Sequence, residues 1–231
     1  MPHNRAVIFD LDDTLYPFRR FVLSGFAACA RRLERRRGVD ARRAFYWMVR
    51  AFREGAQGRE IQTALQMLGL PDRLTPGLVD DIIWGRELNL RLPASTRRTL
   101  SALRSLGWKI GVLTNGDPAV QARKVDALGL AAHVDAIVFA TEHGGGKPDL
   151  ASFLEVTRRL RVAPSQTVFV GDDEWCDVNG AMRAGMRPVR FVGHRHWPYG
   201  PSAADLVLNR ISDLPGAAAL LLADHQESHA A

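Results

Sequence analysis

Four short groups of polar residues carry the chemistry this chain could do. Asp10, Asp12, Asp13 and Thr14 follow a largely apolar run at 5–9, and Thr114, Asn115 and Gly116 follow another at 109–113. The run at 135–139 leads into Thr141, Glu142, His143, three glycines, Lys147, Pro148 and Asp149. The run at 167–170 leads into Gly171, Asp172 and Asp173, with Asp177 one helical turn later. Gathered carboxylates can hold a hard cation or move a proton. Hydroxyls, an amine and glycine-rich backbone can stabilise negative charge. Singly, each group is also what a turn and a helix cap would use. Four in succession, each at the end of an apolar run, exceed what packing requires.

The runs that precede these groups are consecutive rather than alternating, as in strands buried on both faces. Further short runs lie at 188–192 and 205–208. Helical patterns separate them at 95–106, 118–128, 149–160 and 174–184. Strands alternating with helices predict a doubly wound, Rossmann-like α/β fold with a parallel sheet covered on both sides. In such a sheet, ligands bind beyond the carboxyl ends of the strands, so the four polar groups converge there.

Residues 16–92 break the alternation. Four apolar stripes at helical spacing fill them: Phe18, Phe21, Val22, Phe26, Cys29 and Leu33; Ala44, Phe45, Met48, Val49 and Phe52; Ile61, Ala64, Leu65 and Leu68; Leu78, Val79, Ile82 and Ile83. Glycines and prolines punctuate them. The expected organisation is an α/β core from residues 1–15 and 93–231, with a helical domain inserted at 16–92. The tail after Leu222 reads as polar and frayed.

Composition narrows the class. With 231 residues, 46% of them hydrophobic, the chain can bury a sizeable core and a smaller appended one. No apolar run approaches the roughly 18 residues of a membrane helix, and the N-terminus lacks the apolar core of a secretory signal. Cys29 and Cys176 form neither a disulfide framework nor a paired metal motif, which fits a reducing, cytoplasmic setting. The formal charge is +6, carried almost wholly by arginine; lysine occurs only at 109, 124 and 147. Codon bias explains the arginine excess, with attraction of anions as the functional alternative. The dense run of Arg31, Arg32, Arg35, Arg36 and Arg37 has no interleaved aromatics, so it reads as a solvated helix face and not a nucleic-acid surface. His194, Arg195, His196, Trp197 and Tyr199 read as a surface loop, because a His-x-His pair without a third ligand is no metal motif.

The joint set resembles the haloacid dehalogenase-like hydrolase superfamily. Its Asp-x-Asp-x-Thr motif appears as Asp10, Leu11, Asp12, Asp13 and Thr14. Its strand-ending Thr or Ser appears as Thr114, its Lys as Lys147 before Pro148 and Asp149, and its Gly-Asp followed by a further Asp as Gly171, Asp172 and Asp177. The helical insertion resembles the family's cap of the first type. Leu150 departs from the Pro found there in many relatives.

The resemblance implies a Mg²⁺-dependent phosphatase acting on a small phosphorylated metabolite. Asp10 and Asp172 would bind the metal through side chains and Asp12 through its backbone carbonyl. Asp10 would attack phosphorus, forming an aspartyl-phosphate, and Asp12 would protonate the leaving oxygen and then activate water. Thr114, Asn115 and Lys147 would stabilise the phosphoryl oxygens, Lys147 also restraining Asp10. Asp173 and Asp177 would orient these groups from behind. Dehalogenating members lack an acid two places after the nucleophile, so Asp12 favours a phosphatase. Phosphomutases, which keep both aspartates, and dehalogenases remain the alternative enzyme readings, as does a non-catalytic basic binding protein on the same scaffold.

Overall fold

The computed structural model describes residues 5–56, 58–84, 86–194 and 200–228. In chain order the main elements are β1 (Ala6–Phe9), α1 (Arg19–Arg37), α2 (Ala41–Arg53), α3 (Glu60–Met67), α4 (Thr75–Ile83), α5 (Ala94–Ser105), β2 (Lys109–Thr114), α6 (Pro118–Ala127), β3 (Ala136–Phe139), α7 (Leu150–Leu160), β4 (Thr167–Gly171), α8 (Gly180–Arg183), β5 (Arg187–Phe191), β6 (Leu206–Leu208) and α9 (Leu214–Ser228). The chain divides into two compact units, Met1–Pro17 with Leu90–Ala231, and Phe18–Asn89.

The first unit is built on a six-stranded sheet in the order β3-β2-β1-β4-β5-β6, with every described pairing parallel. Strand side chains alternate between faces. Ala6 and Ile8 of β1, Leu113 of β2, Val138 of β3 and Phe169 of β4 share one apolar cluster with Phe153, Val156 and Leu160 of α7. The alternate residues Val7, Phe9, Ile110, Val112, Val168 and Val170 are equally buried, on the other face. Both faces are covered, which is why these strands read as unbroken apolar runs. A Cβ at Gly111 would meet Leu160 Cδ1 and Val156 Cγ2 at 3.0 Å, so glycine there lets α7 lie close on β2.

The strand order sets the place for a site. From β1 the chain winds outward through β2 and β3, then crosses back to β4 on the opposite side of β1 and winds out through β5 and β6. The neighbours β1 and β4 are therefore the switch point, where the connections leave in opposite directions and open a crevice beyond the strand ends. Phe9 pairs with both Val112 and Val170, and the Asp10 amide donates to the Val170 carbonyl at 2.8 Å.

The second unit has its own apolar cluster. Phe26, Cys29, Ala30 and Leu33 of α1 pack with Ala44 and Met48 of α2, Ile61, Ala64 and Leu65 of α3 and Leu78 of α4. The i, i+3, i+4, i+7 spacing on α1 is the apolar stripe seen in the sequence. The Ile82 side chain lies outside the described residues. Asp40 caps α2, accepting from the Arg43 amide at 2.8 Å. Arg35, Arg36 and Arg37 are exposed in the last turn of α1, where positive charge suits the free carbonyls. Arg32, Arg36 and Arg37 line, with Arg73, a shallow cleft of about 170 Å³ floored by Leu33, Leu74 and Leu78.

Two expectations are corrected. The helix expected at 174–184 begins as a π-helical turn, Glu174–Asn179, and becomes α-helical only at α8. The tail does not fray at Leu222: α9 continues to Ser228, with Leu214, Ala218 and Leu222 buried along one stripe. The stripe is narrow and its segment alanine-rich, so its amphipathic signal is weak.

Candidate active site

The ends of β1, β2 and β4 and the loop after β3 deliver their polar groups to one cleft. Its volume is about 200 Å³, and Asp10, Asp12, Thr114, Asn115, Lys147, Asp172, Asp173, Cys176 and Asp177 line it. Each site residue expected from the sequence is in that lining.

Lys147 sits at the centre. Its ammonium makes a short ion pair with Asp10 Oδ1 and a second with Asp177 Oδ1 at 2.7 Å. All three residues are buried. Burial disfavours the Lys147 ammonium, yet the pull of Asp10 and Asp177 outweighs it and holds the amine protonated well above its ordinary range. Burial pushes the Asp10 carboxyl up; Lys147 opposes this, while the charges of Asp177 and Asp172 reinforce it.

The Asn115 side chain fixes the backbone that carries this lysine. Its Nδ2 donates to the Lys147 carbonyl at 3.0 Å, and its Oδ1 accepts from the Lys147 amide at 2.7 Å. Gly146 has φ +82°, and a Cβ there would meet Asn115 Oδ1 at 2.9 Å, so glycine is required by both conformation and space. Thr114, the last residue of β2, is buried at the cleft.

The loop after β4 is held from behind. Asp177 Oδ2 accepts from the Asp173 amide at 3.0 Å. The Asp173 carboxylate caps the π-helical turn, accepting from the Trp175 and Cys176 amides at 2.9 and 2.7 Å. A Cβ at Gly171 would collide with the Asp177 carboxylate. Arg190, buried on β5, pairs with Glu174 at 3.0 Å and donates to the Asp172 carbonyl at 3.3 Å. The Cys176 thiol is pushed up to about 11, chiefly by burial and then by Asp173 and Asp177, so it stays protonated at neutral pH.

Asp12 has partners that the sequence reading passed over. Tyr16 Oη donates to its Oδ1 at 2.6 Å, Lys124 Nζ pairs with its Oδ2 at 2.8 Å, and Gln121 Nε2 donates to the same oxygen at 3.3 Å. Burial, and then the Asp12 charge, holds the Tyr16 phenol well above its ordinary range, so it remains a donor. A signal for two of them existed. Gln121 and Lys124 occupy core-facing positions of α6, where apolar residues belong, and Lys124 is one of only three lysines.

Side-chain oxygens of Asp10, Asp172 and Asp177 all lie within 4.8 Å of one another, a set able to hold a metal ion. Oxygen donors of this kind suit a hard divalent cation. Asp177 takes the place in this trio that the sequence reading gave to Asp12, whose expected contribution is a backbone carbonyl. Asp177 is at the same time engaged by Lys147 and by the Asp173 amide, and Asp10 by Lys147.

The sequence model for "haloacid dehalogenase-like hydrolase" matches residues 4–185. The chain belongs to the haloacid dehalogenase-like hydrolase family. It is 32% identical over 226 residues to a glyceraldehyde 3-phosphate phosphatase of Methanopyrus kandleri, covering 91% of this chain and 94% of that one. It is 30% identical to a ribulose-1,5-bisphosphate 5-phosphatase of Halopiger xanaduensis, covering 80% and 84%. Among solved structures of the haloacid dehalogenase-like fold, a 2-haloacid dehalogenase from Pseudomonas syringae matches with a TM-score of 0.63 at 28% identity, covering 94% and 99%. The sequence reading of family and α/β fold is thereby borne out.

Proposed function

We propose that the protein is a Mg²⁺-dependent phosphomonoesterase that works on a small phosphorylated metabolite through an aspartyl-phosphate. The placement of Asp12 carries this reading: two residues after Asp10, it lines the same cleft, with both carboxylate oxygens anchored. Haloalkanoate chemistry needs a nucleophilic carboxylate but no acid for the leaving halide. Ester cleavage needs one, because an alkoxide is a poor leaving group. The phosphatase relatives support the reading, and the likeness to a dehalogenase is one of fold.

The Asp10 and Asp172 carboxylates and the Asp12 carbonyl would hold Mg²⁺, which would supply charge neutralisation of a dianionic ester. The chain's own groups do the rest. A carboxylate oxygen of Asp10 attacks phosphorus as the bond to the leaving oxygen breaks, and Asp12 gives that oxygen its proton. Asp12, now a carboxylate, takes a proton from water, which attacks phosphorus and releases Asp10 and inorganic phosphate. Thr114 and the Lys147 ammonium stabilise the transferring oxygens. Lys147 restrains Asp10, and Asp177 restrains Lys147.

The helical unit, proposed as a cap domain, reads the organic part of the ester. It is inserted immediately after the loop bearing Asp10, Asp12 and Tyr16. Cys29 and Cys176 do not form a disulfide with each other, in keeping with a reducing cytoplasmic location. The direct test is a chromogenic aryl phosphate with Mg²⁺, alongside a 2-haloalkanoate and a sugar monophosphate. Phosphate release alone supports the phosphatase. Halide release supports a dehalogenase, and isomerised sugar phosphate a mutase.

A further inference from the structure

We propose that Lys124 is a positioning residue for Asp12, fixing the direction in which its carboxyl group gives a proton to the leaving oxygen and then takes one from water. The inference rests on the phosphatase reading above.

The terminal torsion of an aspartate is broad, so a carboxylate at a cleft wall turns freely unless both oxygens are held. Here they are held from two different elements. Tyr16 fixes Oδ1 at 2.6 Å from within the loop that carries Asp12. Lys124 fixes Oδ2 at 2.8 Å from α6, the helix that follows Thr114 and Asn115. Anchors on opposite oxygens define the carboxylate plane, which one anchor alone does not.

The burial of Lys124 shows that this contact has a cost. Its side chain is 3% exposed, whereas that of Asp12 is 24% exposed. A buried ammonium loses its hydration, and a leucine at this position of α6 would pack without that penalty. Gln121, one turn earlier on the same face, donates to Asp12 Oδ2 at 3.3 Å and also bonds the Asn115 carbonyl. The polar face of α6 thus ties the Asp12 loop to the Thr114–Asn115 corner. Proton transfer is sensitive to such placement: a shift of about 1 Å can cost roughly 10² in rate.

The experiment is a double-mutant cycle on the full-length Mg²⁺-loaded enzyme, using phenyl phosphate and 4-nitrophenyl phosphate. Lys124→Met should lower kcat on phenyl phosphate about 10-fold, with KM changed by less than about two-fold, and should cost less on the better leaving group. In an Asp12→Asn background the same substitution should bring no further loss, because its effect runs through Asp12. An equal fold-loss in both backgrounds, or an unchanged kcat in Lys124→Met, overturns the inference. Lys124→Gln, run through the same cycle, carries the test if Lys124→Met does not fold. A wild-type enzyme inactive on both esters sinks the phosphatase reading, and this inference with it; an active wild type with an additive cycle sinks this inference alone.

Discussion

Lys147 and Asp177 lie 2.7 Å apart, both buried, and the second oxygen of Asp177 accepts from the Asp173 amide at 3.0 Å. Asp177 therefore locks the lysine to the β4 loop while the same ammonium grips Asp10. Replacing Lys147 by Met leaves two carboxylates buried without their cation. Breaking such a pair costs about 3–5 kcal/mol. The variant should unfold at a distinctly lower temperature than wild type, and Mg²⁺ should restore part of the loss by neutralising Asp10. Thermal unfolding with and without Mg²⁺ measures both effects; an unshifted midpoint would remove the structural role given to the lysine. Lys147→Arg should not recover activity, because a planar guanidinium cannot take the place of a point ammonium between two carboxylates.

Metal dependence follows from the crowding of Asp10, Asp172 and Asp177. Hydrolysis of an aryl phosphate should require Mg²⁺ and stop in EDTA, and Ca²⁺ should inhibit through its looser, larger coordination. Binding should also appear without turnover: Mg²⁺ at 100 times its Kd should stabilise the fold by about 2.7 kcal/mol. Full activity in chelator would exclude the proposed metal role.

The two aspartates of the first motif should fail differently. Asp10→Asn should abolish covalent phosphorylation of the enzyme and lower kcat by on the order of 10⁴ or more. Asp12→Asn should retain the nucleophile and lose about 10²–10⁴ on alkyl phosphates, with a smaller loss on aryl phosphates that need less protonation. Equal losses on both substrate types would refute the assignment of Asp12.

Substrate choice is expected to reside in the unit Phe18–Asn89, which has its own apolar core. The groups in the cleft are of types suited to phosphate and a cation and offer little to distinguish one organic group from another. Replacing the helical unit by a short linker should leave part of the aryl phosphatase activity and flatten the ranking among sugar phosphates, nucleotides and phosphoglycolate. Retention of the wild-type ranking would place specificity in the α/β core instead.

Local sequence determined the strands, because a parallel strand covered on both faces is apolar along nearly all its length, as 6–9 and 168–170 are. It also located the residues at the strand ends, since backbone leaving a buried sheet becomes polar at once, as at Asp10, Thr114 and Asp172. What each side chain does at the cleft depended on partners far away in the chain. Asp12 and Lys124 are 112 residues apart, and Asn115 and Lys147 are 32 apart. Composition and periodicity record no such pairing, so Lys124, Gln121 and Tyr16 went unnoticed and the side chain of Asn115 emerged as a clamp on the lysine backbone. The π-helical turn at Glu174–Asn179 was hidden for the same reason: its sequence suits an α-helix. The tertiary structure decided both, because a buried charge or amide must find its partner wherever the fold brings one within hydrogen-bonding distance.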